Sequence, residues 1–139
     1  MSDKALYCNC HLSDIVYRNH RTKLIHEVIF VKDISIKELK NTATQMRMKV
    51  IDMIYKAQSG HPGGSLSAAD FVTACYFKYM NIDPKDPRWP DRDRMVLSKG
   101  HVCPIQYACL ASVGFFPESE LDTLRKEGSM LQGHPSMNK

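Results

Sequence analysis

Three histidines in this sequence share a local pattern that could do chemistry. His61, His101 and His134 each follow a glycine directly, and each lies in a predicted loop at the end of a helix or strand. Glycine permits sharp turns and a close approach of the backbone to a ligand, and loops at strand ends hold ligands in α/β proteins. An imidazole can donate a hydrogen bond to a phosphate or alkoxide and can move a proton near neutral pH. Taken singly, each histidine is more simply interpreted as a loop residue, and Gly-His is a common dipeptide, so the shared pattern only suggests a functional role.

The first of these loops lies between two predicted helices. Ser35 and Glu38 match a capping box, and apolar residues then recur every three or four positions. This pattern predicts a long amphipathic helix that ends at Ser59-Gly60. A second, mostly buried helix is predicted to begin at Ser67, with Asp70 three residues on as its capping-box partner.

The elements predicted further along the chain position the other two histidines. In order, they are a proline-rich loop at 81–93, a buried strand at 94–98, and helices at 104–113 and about 117–126. His101 follows the strand at once, and His134 lies in a loop that occupies 128–139. The last helix is predicted to bury Leu121 and Leu124.

This order of elements predicts an α/β fold that is mostly helical in this segment, with about one or two short strands. The chain divides near residue 35. Residues 1–34 form an atypical N-terminal extension, for which disorder is the simplest interpretation, apart from an apolar run at 28–31 that could be a strand. Residues 35–139 have the patterning of the first part of a domain, because one strand does not complete a sheet.

Composition and charge exclude several classes of function. The net charge of +4 is mild, and the basic residues are interleaved with acids, so no nucleic-acid-binding surface is predicted. No apolar stretch reaches membrane-spanning length, and the N-terminus lacks a signal-peptide core. The five cysteines are an odd number without the spacing of a disulfide framework, which favours a cytoplasmic location.

The cysteines invite two further interpretations. Cys8, Cys10 and His11 suggest a zinc site, but the spacing between the cysteines differs from the usual C-x2-C, and a structural metal is not favoured. Cys103, close to His101, is predicted to be a small buried residue and not a reactive thiol.

Four stretches of the chain resemble, in the same order, the signatures of transketolases. They are S-G-H-P-G-G-S-L-S-A-A-D at 59–70, D-P-R-W-P-D-R-D-R-M-V-L-S-K-G-H at 86–101, G-F-F at 114–116 and L-Q-G-H-P-S-M-N-K at 131–139. The resemblance extends from Ile36 to Lys139, and residues 35–139 would be the first part of a thiamine-diphosphate-binding domain. The resemblance is strongest to transketolases in which the N-terminal part and the C-terminal part are made as separate subunits.

The resemblance implies transfer of a two-carbon ketol unit between sugar phosphates in the pentose phosphate pathway, with thiamine diphosphate and Mg or Ca as cofactors. By matched position, His61 would contact substrate hydroxyls and move protons. His101 would lie near the cofactor diphosphate and the reacting carbons. His134 would donate to the terminal hydroxyl of the donor sugar or to the forming alkoxide. Gly64 would line the cofactor-binding loop.

The sequence also departs from the family. A Gly-Asp-Gly motif with a later asparagine holds the metal and the diphosphate in transketolases, and this sequence stops before such a motif. The resemblance therefore implies that the isolated chain is inactive, and is a transferase only when missing segments complete it. The expected partner is a C-terminal transketolase subunit or a missing downstream segment, and the completed enzyme is expected to be a homo-oligomer.

Other functions remain open at this point. The chain could be a non-catalytic truncated product, or a remnant that binds a partner through uncovered apolar helix faces. It could also be an unrelated small phosphate-binding module. A related family that uses pyruvate and glyceraldehyde phosphate has a different signature around the histidines and ranks below transketolase.

Overall fold

A computed structural model describes residues 5–6, 14–17 and 33–136 of the chain. The α-helices are α1 (Ile36–Ala57), α2 (Pro62–Ala74) and α3 (Cys103–Val113). A π-helical turn, Cys75–Tyr79, continues α2, and 3₁₀-helices cover Gly100–Val102 and Glu118–Thr123. The strands are β1 (Ala5–Leu6), β2 (Asp14–Tyr17) and β3 (Arg94–Leu97). This mostly helical segment with short strands confirms the predicted fold class.

Helix α1 begins with the predicted capping box. The backbone N–H of Glu38 donates to Ser35 Oγ at 3.2 Å, and the backbone N–H of Ser35 donates to Glu38 Oε2 at 2.9 Å. These two bonds satisfy N–H groups that the first turn cannot pair internally. The predicted end at Ser59-Gly60 is wrong by two residues, because Gln58 already takes the left-handed conformation, with φ of 48°.

Helix α2 begins at Pro62, five residues before the predicted start at Ser67. Proline suits the first helical position because its φ is already helical and no N–H is needed there. Ser67 therefore lies inside the helix, where its hydroxyl donates to the carbonyl of Gly64 at 2.9 Å. Asp70 does not close a capping box; it forms two hydrogen bonds with Arg47 of α1, at 3.0 and 2.7 Å.

The core lies where α1, α2 and α3 pack together. Its large buried apolar side chains come from all three helices and include Met46, Val50, Met53, Val72, Ile105 and Cys109. The fourth helix is a 3₁₀-helix that ends at Thr123, so its prediction as a longer helix is wrong. Leu121 and Leu124 are nevertheless buried against this core, as predicted. None of the described helices is long and apolar enough to cross a membrane.

The three strands form an antiparallel sheet in the order β1-β2-β3. Strand β3 confirms a strand at the predicted place, and its residues Arg94 and Leu97 pair with Tyr17 and Asp14 of β2. Its prediction as a buried strand is wrong, because Arg94 and Val96 are exposed and only Leu97 is buried. Strands β1 and β2 lie in the N-terminal extension and were not predicted from the sequence. The possible strand at 28–31 and the cluster of Cys8, Cys10 and His11 lie outside the described residues.

Candidate functional site

His61 lies at the junction between α1 and α2. It is the N-cap residue of α2, with an extended backbone, but its side chain makes no capping hydrogen bond. The following Pro62 fixes the direction in which α2 leaves this junction. The exposed imidazole of His61 is therefore free of a structural role at the helix end and available to a ligand.

His101 lies beside His61. It follows β3 in a short 3₁₀-helix, and the ring centroids of the two histidines are 6.2 Å apart with their planes at 84°. Gly64, in the first turn of α2, allows this approach. A Cβ atom at Gly64 would lie 2.9 Å from Cγ2 of Val102 and 3.6 Å from Nε2 of His101. The lack of a side chain at Gly64 thus lets α2 pack directly on the segment that carries His101.

His134 packs against the residue that precedes His101. A Cβ atom at Gly100 would lie only 2.4 Å from Cδ2 of His134, so the imidazole occupies the space that any other residue at position 100 would fill. The three Gly-His loops therefore meet, although they come from positions 60–61, 100–101 and 133–134 of the sequence.

Two buried side chains of α3 contact the backbone of the two residues that precede His134. Tyr107 donates its hydroxyl to the carbonyl of Gln132 at 2.9 Å, and the Cys103 thiol lies 3.2 Å from the carbonyl of Gly133. Burial raises the pKa of both the Tyr107 hydroxyl and the Cys103 thiol. Both groups therefore keep their protons and act as donors. Cys103 is buried, which confirms its prediction as a small buried residue.

Arg125 is the cation of this region, and the sequence did not single it out. Its Nη1 donates to Ser59 Oγ at 3.0 Å, and a Cβ atom at Gly133 would lie 3.0 Å from both Nε and Nη2. Its backbone is left-handed, with φ of 60°. Position 125 lies in a segment that the sequence assigns to a helix, so no local signal indicates either the turn or the contact with Gly133.

All three predicted histidines line one small pocket with a volume of about 70 Å³. Its complete lining is Gly60, His61, His101, Cys103, Pro104, Leu124, Arg125, Gly133 and His134. Pockets that enclose small-molecule ligands usually measure about 300–1,000 Å³. This pocket is therefore large enough for part of a sugar phosphate or cofactor, and the rest would need walls from elsewhere.

The described residues that line the pocket present hydrogen-bond donors and no carboxylate. Imidazole and guanidinium N–H groups suit the oxygens of phosphates, hydroxyls and alkoxides. A divalent cation such as Mg²⁺ or Ca²⁺ needs oxygen ligands, and across residues 33–136 no group of three or more His, Cys, Asp or Glu side chains could hold a metal ion. The described residues thus fit the phosphate and sugar oxygens of a cofactor or substrate, but not its metal.

Comparison with known proteins matches this part of the chain to one family. The family model described as "Transketolase, thiamine diphosphate binding domain" matches residues 38–139. The 6-deoxy-6-sulfo-D-fructose transketolase subunit SqwG of Clostridium sp. (strain MSTE9) is 47% identical over 102 residues, which are 73% of this chain and 37% of that protein. The transketolase of Pongo abelii is 47% identical over 100 residues, 72% of this chain and 16% of that protein.

A solved structure agrees with the sequence comparison. Transketolase from Leishmania mexicana matches 70% of this chain and 15% of its own chain, with a TM-score of 0.68 and 34% sequence identity. The chain thus spans well under half the length of each of these relatives. The match to the family model, residues 38–139, includes the three Gly-His loops.

Proposed function

This chain belongs to the transketolase family, and we propose that it supplies three histidines to a site that transfers a two-carbon ketol unit between sugar phosphates. One observation carries this proposal: His61, His101 and His134 come from three distant loops and line the same pocket. Thiamine diphosphate, when bound, supplies the nucleophilic carbon with which the carbon–carbon bond is broken and made.

The proposed role of each histidine is the one that its matched position in transketolases implies. His61 and His134, which both line the pocket, bind substrate hydroxyls, and His61 moves a proton to or from one of them. His134 donates to the terminal hydroxyl of the donor sugar or to the alkoxide that forms. His101, between the other two loops, donates to the cofactor diphosphate and to the oxygen at the reacting carbons. Gly64 belongs to the cofactor-binding part of the site because it lets α2 approach His101.

The charge around the pocket suits a reaction that develops negative charge on oxygen. Donors that are fixed in advance stabilise such charge without the cost of reorganising solvent. The segment of His101 packs on Gly64 and the imidazole of His134 packs on Gly100, and these contacts favour the orientations of both donors. Among residues 33–136, no acidic side chain lines the pocket to compete for these donors.

Other protein must complete the site. The pocket is small, and the described residues offer no ligand set for Mg or Ca. A relative with 47% identity is named as a subunit, and this chain covers 37% of its length. We therefore propose that a C-terminal transketolase subunit or a downstream segment supplies the metal ligands and the remaining walls. The chain alone is then inactive, and the completed enzyme is a homo-oligomer.

Residues 35–139 carry this function in the proposal, and residues 1–34 are an extension of the domain. The family match, which begins at residue 38, supports this division. Family membership supports a role in the pentose phosphate pathway, and the odd cysteine count supports a cytoplasmic location.

A second candidate function is partner binding without catalysis. One face of α1 exposes large apolar side chains at helical spacing: Met48 is 68% exposed, Ile51 47% and Tyr55 72%. Exposed apolar patches of this kind mark sites of association. The same face would also serve the first candidate, so its presence alone does not separate the two.

Reconstitution of ketol transfer separates the two candidates. The chain is assayed alone, and again with a C-terminal transketolase subunit, with thiamine diphosphate, Mg²⁺, a ketose phosphate and an aldose phosphate. The expected result is no turnover by the chain alone and turnover by the mixture. Turnover by the chain alone would contradict the need for completion. A stable complex on size-exclusion chromatography that shows no turnover would favour partner binding without catalysis.

A further inference from the structure

Arg125 connects the two loops that carry His61 and His134. Its guanidinium donates to Ser59, two residues before His61, at 3.0 Å. The same group covers Gly133, the residue before His134, where a Cβ atom would lie 3.0 Å from Nε, 3.0 Å from Nη2 and 3.2 Å from Cζ. These three distances place the guanidinium directly against the open side of Gly133.

Buried neighbours hold the backbone at Arg125 in place. Leu124 is 1% exposed and Leu131 is 2% exposed, and the N–H of Arg125 donates to the carbonyl of Leu131 at 2.8 Å. The loop between them is therefore closed at its base by buried residues. Arg125 itself is left-handed, with φ of 60°, a conformation that residues with a β-carbon adopt at a cost.

No carboxylate in the part of the chain that the structure describes forms an ion pair with the guanidinium. Among the described residues, the cations in ion pairs are Arg47, Lys49 and Lys56, and Arg125 is not one of them. Its contacts are a hydroxyl and a peptide backbone at the edge of the histidine pocket. The left-handed backbone of Arg125 thus coincides with side-chain contacts to two loops of one pocket.

We propose that Arg125 is a positioning residue that fixes the loops of His61 and His134 relative to each other. It acts through Ser59 on one side and Gly133 on the other. A lysine cannot replace it fully, because the single ammonium nitrogen cannot lie beside both Ser59 and Gly133 as the separate guanidinium nitrogens do. The consequence for ketol transfer rests on the proposed function, but the positioning of the two loops does not.

The positioning can be measured without turnover. In the full 139-residue chain, the imidazole signals of His61 and His134 are followed by NMR in the wild type and in Arg125→Gly. Glycine relieves the left-handed backbone, so this variant removes the guanidinium without adding strain. Lys126→Gln is the matched control, because it removes one positive charge at the next position.

Arg125→Gly is expected to shift the signals of both histidines several-fold more than Lys126→Gln does. Ser59→Ala should shift mainly the His61 signal, and Ser59→Ala added to Arg125→Gly should cause no further shift, because the two residues act through one hydrogen bond. Arg125→Lys should restore the signals only in part. Signals in Arg125→Gly that match those of Lys126→Gln would overturn the proposal, provided that circular dichroism shows both variants folded.

Two further measurements keep the test decisive. If Arg125→Gly does not fold, the His61 signal in Ser59→Ala decides the matter, because an unmoved signal there also overturns the proposal. In the completed enzyme, Arg125→Gly should lower kcat about 10- to 100-fold with little change in KM, and added guanidinium ion should restore part of the loss. Shifted histidine signals with no ketol transfer by the wild type would refute the proposed function and leave the positioning role standing.

Discussion

The contact between Gly100 and His134 allows one substitution to test the geometry of the site. A Cβ atom at position 100 would lie 2.4 Å from His134 Cδ2, and ordinary van der Waals contact begins near 3.4 Å. The substitution Gly100→Ala must therefore move the imidazole by about 1 Å, the difference between these two distances. The φ of Gly100 is not positive, so alanine fits its backbone and the effect comes from the side-chain contact alone.

The size of the effect follows from this displacement. A misplacement of about 1 Å in a catalytic group can cost about 100-fold in rate, which corresponds to about 2.7 kcal/mol of transition-state stabilisation. Overpacking inside a core costs about 1–3 kcal/mol of folding stability. His134 is exposed and can swing outward, so the loss of stability should lie at or below about 1 kcal/mol. Activity should thus fall far more than stability.

The assay compares kcat, KM and the free energy of unfolding for the wild type and Gly100→Ala, with kinetics measured on the completed enzyme. Gly63→Ala is the control, because a Cβ at Gly63 would meet no atom within 4 Å. Gly63 lies in the first turn of α2, where alanine should leave activity unchanged and leave stability unchanged or slightly higher. In a His134→Ala background, Gly100→Ala should cause little further loss.

A kcat for Gly100→Ala within twofold of the wild type, together with an unmoved His134 NMR signal, would refute this reasoning. Equal losses in Gly100→Ala and Gly63→Ala would refute it too, since only the first substitution meets His134.

Three other predictions concern the fold. Ile105→Ala, at a fully buried position, should lower the free energy of unfolding by about 2–5 kcal/mol in urea titrations, and a loss below about 1 kcal/mol would contradict the described core. The hydrogen bonds from Arg47 lower the pKa of Asp70, so this carboxylate stabilises the fold above its unfolded-state pKa and loses that effect as the pH falls through its lower folded-state pKa. Asp70→Asn should therefore cost about 0.2–1 kcal/mol at pH 7 and nothing once both states are protonated, and a cost that persists in acid would contradict the ion pair. Burial raises the pKa of the Cys109 thiol to about 12 and also raises that of Cys103, so peptide mapping should find both alkylated by iodoacetamide only after unfolding.

The features that the sequence predicted correctly depend on neighbours close along the chain. The capping box of α1 needs only Ser35 and Glu38, three residues apart, and the apolar spacing that follows is a property of one helix. Strand β3 is a short apolar run that follows a proline-rich loop. The three Gly-His sequences were recognisable as a set, although the sequence alone did not bring them together.

The start of α2 was mispredicted because two local signals competed. Ser67 and Asp70 have the spacing of a capping box, which indicates a helix start there and assigns Pro62 to the preceding loop. Pro62 itself suits the first position of a helix. The tertiary structure decides between them, because Asp70 pairs with Arg47 of α1, which is 23 residues away. A pattern in one segment cannot reveal a partner in another.

The parts of the site that the sequence missed are held by contacts of this long-range kind. Tyr107 supports Gln132, and Arg125 reaches both Ser59 and Gly133. The helical segment that the sequence extends to about 126 ends at Thr123, where Leu124 takes an extended ψ of 125°. The left-handed turn at Arg125 follows, and no glycine in the sequence indicates it. Strands β1 and β2 were missed because short strands gain their stability from the neighbour with which they pair.

The most direct test of the central claim is the rate of ketol transfer in the completed enzyme when the histidines are replaced one at a time. His61→Asn, His101→Asn and His134→Asn should each lower kcat/KM by about 10²–10⁴, since each removes a positioned donor or proton carrier. Lys126 is exposed and does not line the pocket, so Lys126→Gln should leave kcat/KM unchanged. Combined substitutions should lose less than the product of the single effects, because groups that act in one site are not additive. Three variants that retain the wild-type rate would contradict the claim that these histidines form the catalytic part of the pocket.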